Sequence, residues 1–208
     1  MKMSNKKALV EDYLEELFPD PKCELNYKND YELLLAIMLS AQTTDKRVNE
    51  CTKVLFGKYQ TLEALSKANI KDIEKIIRSL GSFRKKSEYI NKISTILVEN
   101  YNSKVPVDRE ILESLPGVGR KTVNVFFGEY YDMPAIAVDT HVERVSKRLK
   151  IAKMDATVSE VEQKLMRFYK KEDWARRHLQ MVLFGRYHCK AMKPLCEECK
   201  LKDICRKK

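Results

Sequence analysis

The sequence has few residues that interrupt helices and no pattern typical of strands. Its 208 residues include only six glycines and six prolines, most of them where helices would begin or end. No segment shows sustained alternation of apolar and polar side chains, which would mark a half-buried strand. Apolar residues instead recur at helical spacing, so the sequence predicts an all-α fold with about ten helices.

Other signals are missing as well. No run approaches the ~18 consecutive apolar residues of a membrane helix. The N-terminus, MKMSNKKALVEDYLEEL, has no apolar stretch followed by a small-residue cleavage site. No repeat of about 20–50 residues and no low-complexity segment is found. We therefore expect one large domain or two small ones, located in the cytoplasm and without membrane contact.

Acidic residues are outnumbered by basic ones. The chain has 40 lysines and arginines against 30 aspartates and glutamates, which gives a formal net charge of +10. Such an excess favours binding to a nucleic acid or an anionic surface. A basic protein that binds neither partner would have the same composition, so the net charge alone does not establish nucleic-acid binding.

The cysteines are concentrated near the C-terminus. Four of the six form a C-x6-C-x2-C-x5-C pattern, made up of Cys189, Cys196, Cys199 and Cys205. This polar stretch is too short to form its own core, which predicts a bound group. Disulfides would need an oxidising compartment, and zinc is commonly held by two close-spaced pairs, of which only one is present. An iron–sulfur cluster tolerates wider gaps, but spacing alone puts it only modestly ahead of zinc.

A glycine hairpin lies between two predicted helices. In LPGVGRKT, Gly117 and Gly119 leave the backbone N–H groups unobstructed at the start of the next helix, where the helix dipole favours an anion. With Arg120 beside them, these glycines predict a hairpin that contacts a DNA phosphate without recognising the base sequence. A plain helix–helix turn is the alternative.

Lys121 follows this hairpin, in the first turn of the predicted helix. The helix dipole and the neighbouring Arg120 both disfavour its ammonium form, so we expect a lowered pKa. An amine of this kind can act as a nucleophile and form a Schiff base. A solvated or phosphate-contacting lysine is the alternative interpretation.

Asp139 precedes a second predicted helix, where Thr140 and Glu143 fit a capping box. Helix capping alone could therefore account for Asp139. A catalytic role requires it to lie near Lys121, and the intervening chain is long enough to run back along the helix. His141 could assist there by contacting DNA, although a lone histidine near a cap is more often structural.

Several motifs occur together in this chain: the hairpin, the segments ELLLAIMLSAQTTD, AIAVDTHVERVSKRL and FGRYHC, and the cysteine tail. In their order along the chain they resemble the endonuclease III family of helix-hairpin-helix DNA glycosylases. The resemblance runs from about residue 23 to Cys205. It implies a [4Fe-4S] cluster on the four cysteines and two helical domains that flank a DNA groove. These would be a six-helix domain with the hairpin, 23–133, and a cluster domain, 1–22 and 134–208.

The resemblance also implies a bifunctional DNA glycosylase and AP lyase of base excision repair. Such an enzyme removes oxidised pyrimidines from duplex DNA and nicks 3′ to the abasic site by β-elimination. Lys121 would be the nucleophile and Asp139 the catalytic carboxylate, while Gln42 would fill the gap left by the extruded nucleotide. Lys190 and Lys193 would contact phosphates. The partner would be double-stranded DNA with a damaged pyrimidine or an abasic site, bound by a nucleoid-associated monomer.

One position departs from the family pattern. Gly81-Ser82-Phe83 stands where the family usually has a Gly-Leu-Tyr-like segment, whose leucine is taken as a wedge against the estranged base. The polar Ser82 side chain cannot act as an apolar wedge. Either Phe83 or a neighbouring residue takes this role, or the base pair opens less efficiently. Two rival functions remain, a mismatch glycosylase of the same superfamily, which would lack Lys121, and a non-catalytic DNA-binding module.

Overall fold

The computed structural model describes residues 3–206, and all regular structure in that range is helical. The eleven α-helices there are α1 (Met3–Leu17), α2 (Asp30–Leu39), α3 (Asp45–Lys58), α4 (Leu62–Ser66), α5 (Ile70–Ile76), α6 (Phe83–Tyr101), α7 (Arg109–Ser114), α8 (Arg120–Tyr131), α9 (Thr140–Arg148), α10 (Val158–Phe168) and α11 (Trp174–Leu183). A π-helical turn, Phe184–His188, follows α11 directly. The predicted all-α fold is confirmed. Within the described range, no helix combines the length and apolarity that crossing a membrane requires.

The chain divides into two compact units. One is Cys23–Phe126, and the other combines Met1–Lys22 with Phe127–Lys208. The division falls within α8. The boundary expected from the sequence, after residue 133, lies just past the end of this helix.

The unit Cys23–Phe126 is built around α2. Asn29 caps this helix by accepting a hydrogen bond from the Glu32 amide at 3.0 Å, and every residue from Tyr31 to Leu39 is buried. Because α2 is apolar on all sides, it must be enclosed by other helices. Helix α6 contributes Ile90, Ile93 and Leu97 to this core, all fully buried. Each such side chain stabilises the fold by about 1.5–3 kcal/mol.

The other unit has its own core. Its apolar residues come from α1, α9, α10, α11 and the segments around them. The apolar stripe of α1 packs there through Val10, Tyr13 and Leu14. At the surface, Glu15 of α1 receives hydrogen bonds from two α11 arginines, Arg176 at 2.6 Å and Arg177 at 2.8 Å. These bonds connect the N-terminal helix to the C-terminal third of the chain.

Candidate functional site

The glycine hairpin joins α7 to α8. Val118 at its tip is buried, and its amide donates to the Leu115 carbonyl at 3.1 Å. Gly117 has a φ of +76°, and a Cβ built there would lie 2.4 Å from Cδ2 of Tyr89. At Gly119 a Cβ would meet no atom within 4 Å. The hairpin is therefore anchored on one side and leaves its backbone at Gly119 open to a ligand.

Lys121 is the second residue of α8 and its side chain is exposed, as is that of Arg120. The structure thus places this lysine in the first helical turn, where the sequence predicted it. Buried Asn124, one turn further on, accepts a hydrogen bond from the Arg109 guanidinium at 2.8 Å. This bond joins the start of α8 to α7 and fixes the base from which Lys121 projects.

Gln42 and Ser82 lie on two adjacent loops of the same unit. Both are exposed non-glycine residues with positive φ, at 57° and 56°. A Cβ on Gly81 would lie 4.0 Å from the Gln42 carbonyl oxygen, which shows how close the loops are. Phe83 is half-buried, and the Arg84 guanidinium lies 5.3 Å from the centre of its ring. The polar Ser82, rather than an apolar side chain, therefore stands exposed at the start of α6.

Asp139 is itself the N-cap of α9. Its Oδ1 accepts a hydrogen bond from the Val142 amide at 2.7 Å. The predicted capping box of Thr140 and Glu143 is wrong, because Thr140 is already helical and Glu143 pairs with Lys147 at 2.6 Å. An aspartate at the N-cap both accepts the hydrogen bond and complements the helix dipole.

His141, the next candidate along the chain, is half-buried. Its Nδ1 lies 3.2 Å from a guanidinium nitrogen of Arg144. Its backbone and Cβ are packed against Gly185, where a Cβ would fall 2.7 Å from the Cβ of His141. These intramolecular contacts hold the imidazole in place, and its predicted contact with DNA stays a prediction.

The four C-terminal cysteines line one pocket. Arg148 and His188, among others, also border this pocket. In the part of the chain that the structure describes, no three His, Cys, Asp or Glu side chains are arranged to hold a single metal ion. Burial raises the pKa of the Cys199 thiol, and its three partner cysteines raise it further. Four cysteine thiols around one pocket are the kind of donor set from which zinc and iron–sulfur sites are built, so the chemistry of these side chains fits a bound metal group.

Two arginines on α9 fix the start of the cysteine segment, and no sequence pattern singles them out. Arg148 donates to the carbonyls of Cys189, Lys190 and Ala191 at 2.7–3.2 Å, and to the Cys189 Sγ at 3.3 Å. Arg144 also donates to the Cys189 carbonyl, at 3.2 Å. Their i,i+4 spacing predicts a shared helix face, but only the fold shows what that face meets.

The basic residues of the cysteine segment fall into two groups. Lys200 pairs with Glu16 at 2.6 Å and Lys202 with Glu197 at 3.3 Å. Lys190 and Lys193 are exposed, and neither forms an ion pair with any residue in 3–206. Only the second group therefore has unneutralised charge available for an anionic partner.

Comparison with known proteins assigns the fold and the family. Residues 35–171 match the model of the HhH-GPD superfamily of base excision DNA repair proteins. Endonuclease III of Bacillus subtilis (strain 168) is 48% identical over 195 residues, which cover 94% of this chain and 89% of the relative. Endonuclease III of Escherichia coli (strain K12) is 41% identical over 192 residues, or 92% and 90% of the two chains.

Solved structures agree with this assignment. A trapped endonuclease III–DNA covalent intermediate, described as an estranged-adenine complex, has a TM-score of 0.94 and 47% identity, covering 99% of this chain and 96% of that one. A thermostable thymine-DNA glycosylase shares the fold, with a TM-score of 0.86 at 20% identity over 98% and 96% of the chains. The chain belongs to the endonuclease III family of the HhH-GPD superfamily of base excision DNA repair proteins.

Proposed function

We propose that the chain is a bifunctional DNA glycosylase and AP lyase that removes oxidised pyrimidines from duplex DNA. The observation that carries this proposal is the exposed Lys121 amine in the first turn of α8, directly after a hairpin whose Gly119 backbone is open. A phosphate bound at the hairpin would bring the DNA backbone to this amine. The family membership supports the same reaction class.

In the proposed reaction the damaged nucleotide is first flipped out of the duplex, at a cost of a few kcal/mol. The neutral Lys121 amine attacks C1′ of the deoxyribose, a C–N bond forms to the lysine, and the glycosidic bond breaks as the base departs. The C1′–O4′ bond of the sugar then breaks, O4′ takes up a proton and the lysine nitrogen forms the C=N bond of the Schiff base, which allows loss of a proton from C2′. The 3′ phosphate is then eliminated and the strand is nicked.

Asp139 is the proposed catalytic carboxylate. It would accept a proton from the Lys121 ammonium, or stabilise positive charge that develops on the sugar. Its Oδ1 is held by the Val142 amide, so the orientation of the carboxylate is set by α9 rather than by a mobile loop. The proposed DNA contacts of the hairpin domain, 23–133, are Gln42, Ser82, Gly117, Gly119 and Arg120. His141, two residues after Asp139, is a further proposed DNA contact.

The cluster domain, 1–22 and 134–208, would hold a [4Fe-4S] group on Cys189, Cys196, Cys199 and Cys205. The support is the pocket that all four cysteines share and the wide spacing, which suits a cluster. Such a group would supply a rigid cross-link for the segment rather than a reaction step. Arg148 and the cluster would then hold the backbone from which Lys190 and Lys193 reach DNA phosphates.

We also propose that the protein is a monomer and is located at the nucleoid.

Borohydride trapping tests the proposal. Wild-type protein should form a covalent complex with duplex DNA containing thymine glycol or an abasic site, because borohydride reduces the Schiff base. Lys121→Gln should abolish both trapping and strand cleavage while DNA binding persists. Lys104→Gln makes the same change at an exposed lysine after α6 and should trap normally. A trapped adduct with Lys121→Gln would assign the chemistry to another amine, and a mismatch glycosylase or a binding module would give no adduct with either protein.

A further inference from the structure

Lys86 of α6 is a buried cation with an unusual set of partners. Its residue is 5% exposed, and burial lowers its pKa. Buried ammonium groups are normally compensated by a carboxylate. Within residues 3–206, Lys86 forms no such ion pair. Its Nζ instead donates to two backbone carbonyls, that of Leu39 at 2.9 Å and that of Ala41 at 2.8 Å.

These two carbonyls define the loop that carries Gln42. Leu39 is the last residue of α2, so its carbonyl lacks a partner within the helix and a cation there complements the helix dipole. The Ala41 carbonyl belongs to the peptide group that leads directly into Gln42. Lys86 Nζ holds this peptide group in place, and the orientation of the peptide group sets the positive φ of Gln42.

The backbone of Lys86 lies next to the second loop. Its amide donates to the Ser82 carbonyl at 3.1 Å, and Ser82 is the other exposed residue with positive φ in this region. Non-glycine residues keep such a conformation only where the surrounding structure imposes it. This amide bond is the first i→i−4 bond of α6, so only the two side-chain hydrogen bonds are specific to Lys86.

We propose that Lys86 is a positioning residue whose side chain holds Gln42, next to Ser82, in the backbone conformation in which Gln42 meets damaged DNA. This rests on the proposed function, because it takes Gln42 and Ser82 as DNA contacts. A methionine in place of Lys86 would fill most of the same space but leave both carbonyls without their donor. The loop would then turn these carbonyls toward water, and Gln42 would lose its fixed orientation.

The test compares Lys86→Met with Lys85→Met, which makes the same change at the exposed neighbouring residue. The first readout is hydrogen exchange of the Thr43 amide, which donates to the Ser40 carbonyl at 3.0 Å. The second is the ratio of affinities for a duplex with a tetrahydrofuran abasic-site analogue and for undamaged duplex. Lys86→Met should speed the exchange and lower the ratio by about tenfold, the loss expected for hydrogen bonds to a charged donor. Lys85→Met should change neither.

A double-mutant cycle distinguishes positioning from general destabilisation. If Lys86 acts through Gln42, adding Gln42→Ala to Lys86→Met should lower the affinity ratio little further than either change alone. Losses that multiply would overturn the proposal. Lys86→Arg keeps a cationic donor and should retain more of the ratio than Lys86→Met. Lys86→Arg also tests the proposal if the methionine variant does not fold. If the larger guanidinium is displaced from the two carbonyls, a wild-type exchange rate and a wild-type affinity ratio in this variant would refute the positioning role.

The outcomes separate this proposal from the proposed function. A wild-type protein with no preference for the abasic duplex would contradict the function, and the exchange rate of the Thr43 amide would still decide whether Lys86 holds the loop. A wild-type preference that survives intact in Lys86→Met would contradict the positioning role alone.

Discussion

The ring of Tyr89 lies directly against the α-carbon of Gly117. A Cβ built on the glycine would fall 2.4 Å from Cδ2 and 2.8 Å from Cε2 of the tyrosine, and the glycine has a φ of +76°. The shape of the hairpin thus depends on a side chain of α6, one turn after Lys86. This helix supports both the hairpin and the Gln42 loop.

Gly117→Ala should destabilise the protein by about 1–3 kcal/mol, because the new methyl group overlaps the Tyr89 ring and the backbone is in the left-handed region. Urea unfolding measures this. Gly119→Ala is the matched control, since nothing lies within 4 Å of its added Cβ. It should leave stability within ~0.5 kcal/mol but weaken DNA binding, because the methyl group obstructs the approach of a phosphate. Equal stability of the two variants would contradict the packing argument.

Asp139→Asn should separate the charge of this residue from its capping role. Asparagine caps helices as well as aspartate does, so thermal stability should barely change. Turnover on thymine glycol DNA should fall by at least ~10²-fold, the usual effect of losing an acid–base group, with DNA binding retained. Asp139→Ala should lose the same activity and, in addition, about 0.5–2 kcal/mol of stability. Full activity of Asp139→Asn would leave Asp139 as a cap only.

Lys193→Ala should flatten the dependence of DNA affinity on salt. If this unpaired lysine contacts one phosphate, the slope of log K against log salt should fall by about one. Lys202→Ala removes a lysine that already pairs with Glu197, and its slope should match that of the wild type. Fluorescence anisotropy with undamaged duplex over a salt series gives both values. Identical slopes for all three proteins would place Lys193 in solvent.

The purified protein should be yellow-brown and contain about four irons per chain, as expected for a cubane on four thiolates. Cys196→Ser should lose the iron and weaken DNA binding, because the segment bearing Lys190 and Lys193 loses its cross-link. Cys51→Ser provides the control, since this buried cysteine lies outside the segment and near Ser79. Stoichiometric zinc without iron after anaerobic purification would refute the cluster.

Glu15→Gln should destabilise the protein at pH 7 but not at pH 2. Hydrogen bonding from Arg176 lowers the pKa of Glu15 from 4.5 to about 2. Since the folded-state pKa is below the unfolded one, the carboxylate stabilises the fold fully above pH ~4.5 and loses this effect as the pH falls toward 2. The loss at pH 7 should be about 1 kcal/mol or less, as for other partly exposed ion pairs. Thermal unfolding at several pH values measures it, and a pH-independent difference would exclude the ion pair as its cause.

Much of the fold was predictable because the responsible interactions are local. The apolar YELLLAIML run and its Asn29 cap define α2 within a dozen residues. The hairpin glycines define the turn before α8, and the spacing of the four cysteines indicates a bound group. The lysine in the first turn of α8 could likewise be placed from its own neighbours. None of these features requires knowledge of how the helices pack.

Other features were decided only by the tertiary structure. The choice of Asp139 over Thr140 as the cap depended on where α9 begins, which its packing settles. In the sequence, nothing distinguishes Lys86 from the many surface lysines. In the structure its hydrogen-bond acceptors lie 45 and 47 residues away along the chain. Arg148 similarly meets carbonyls 41 to 43 residues further along the chain. Sequence periodicity determines which face of a helix is apolar, whereas the partner of a single polar side chain is fixed only when distant segments pack together.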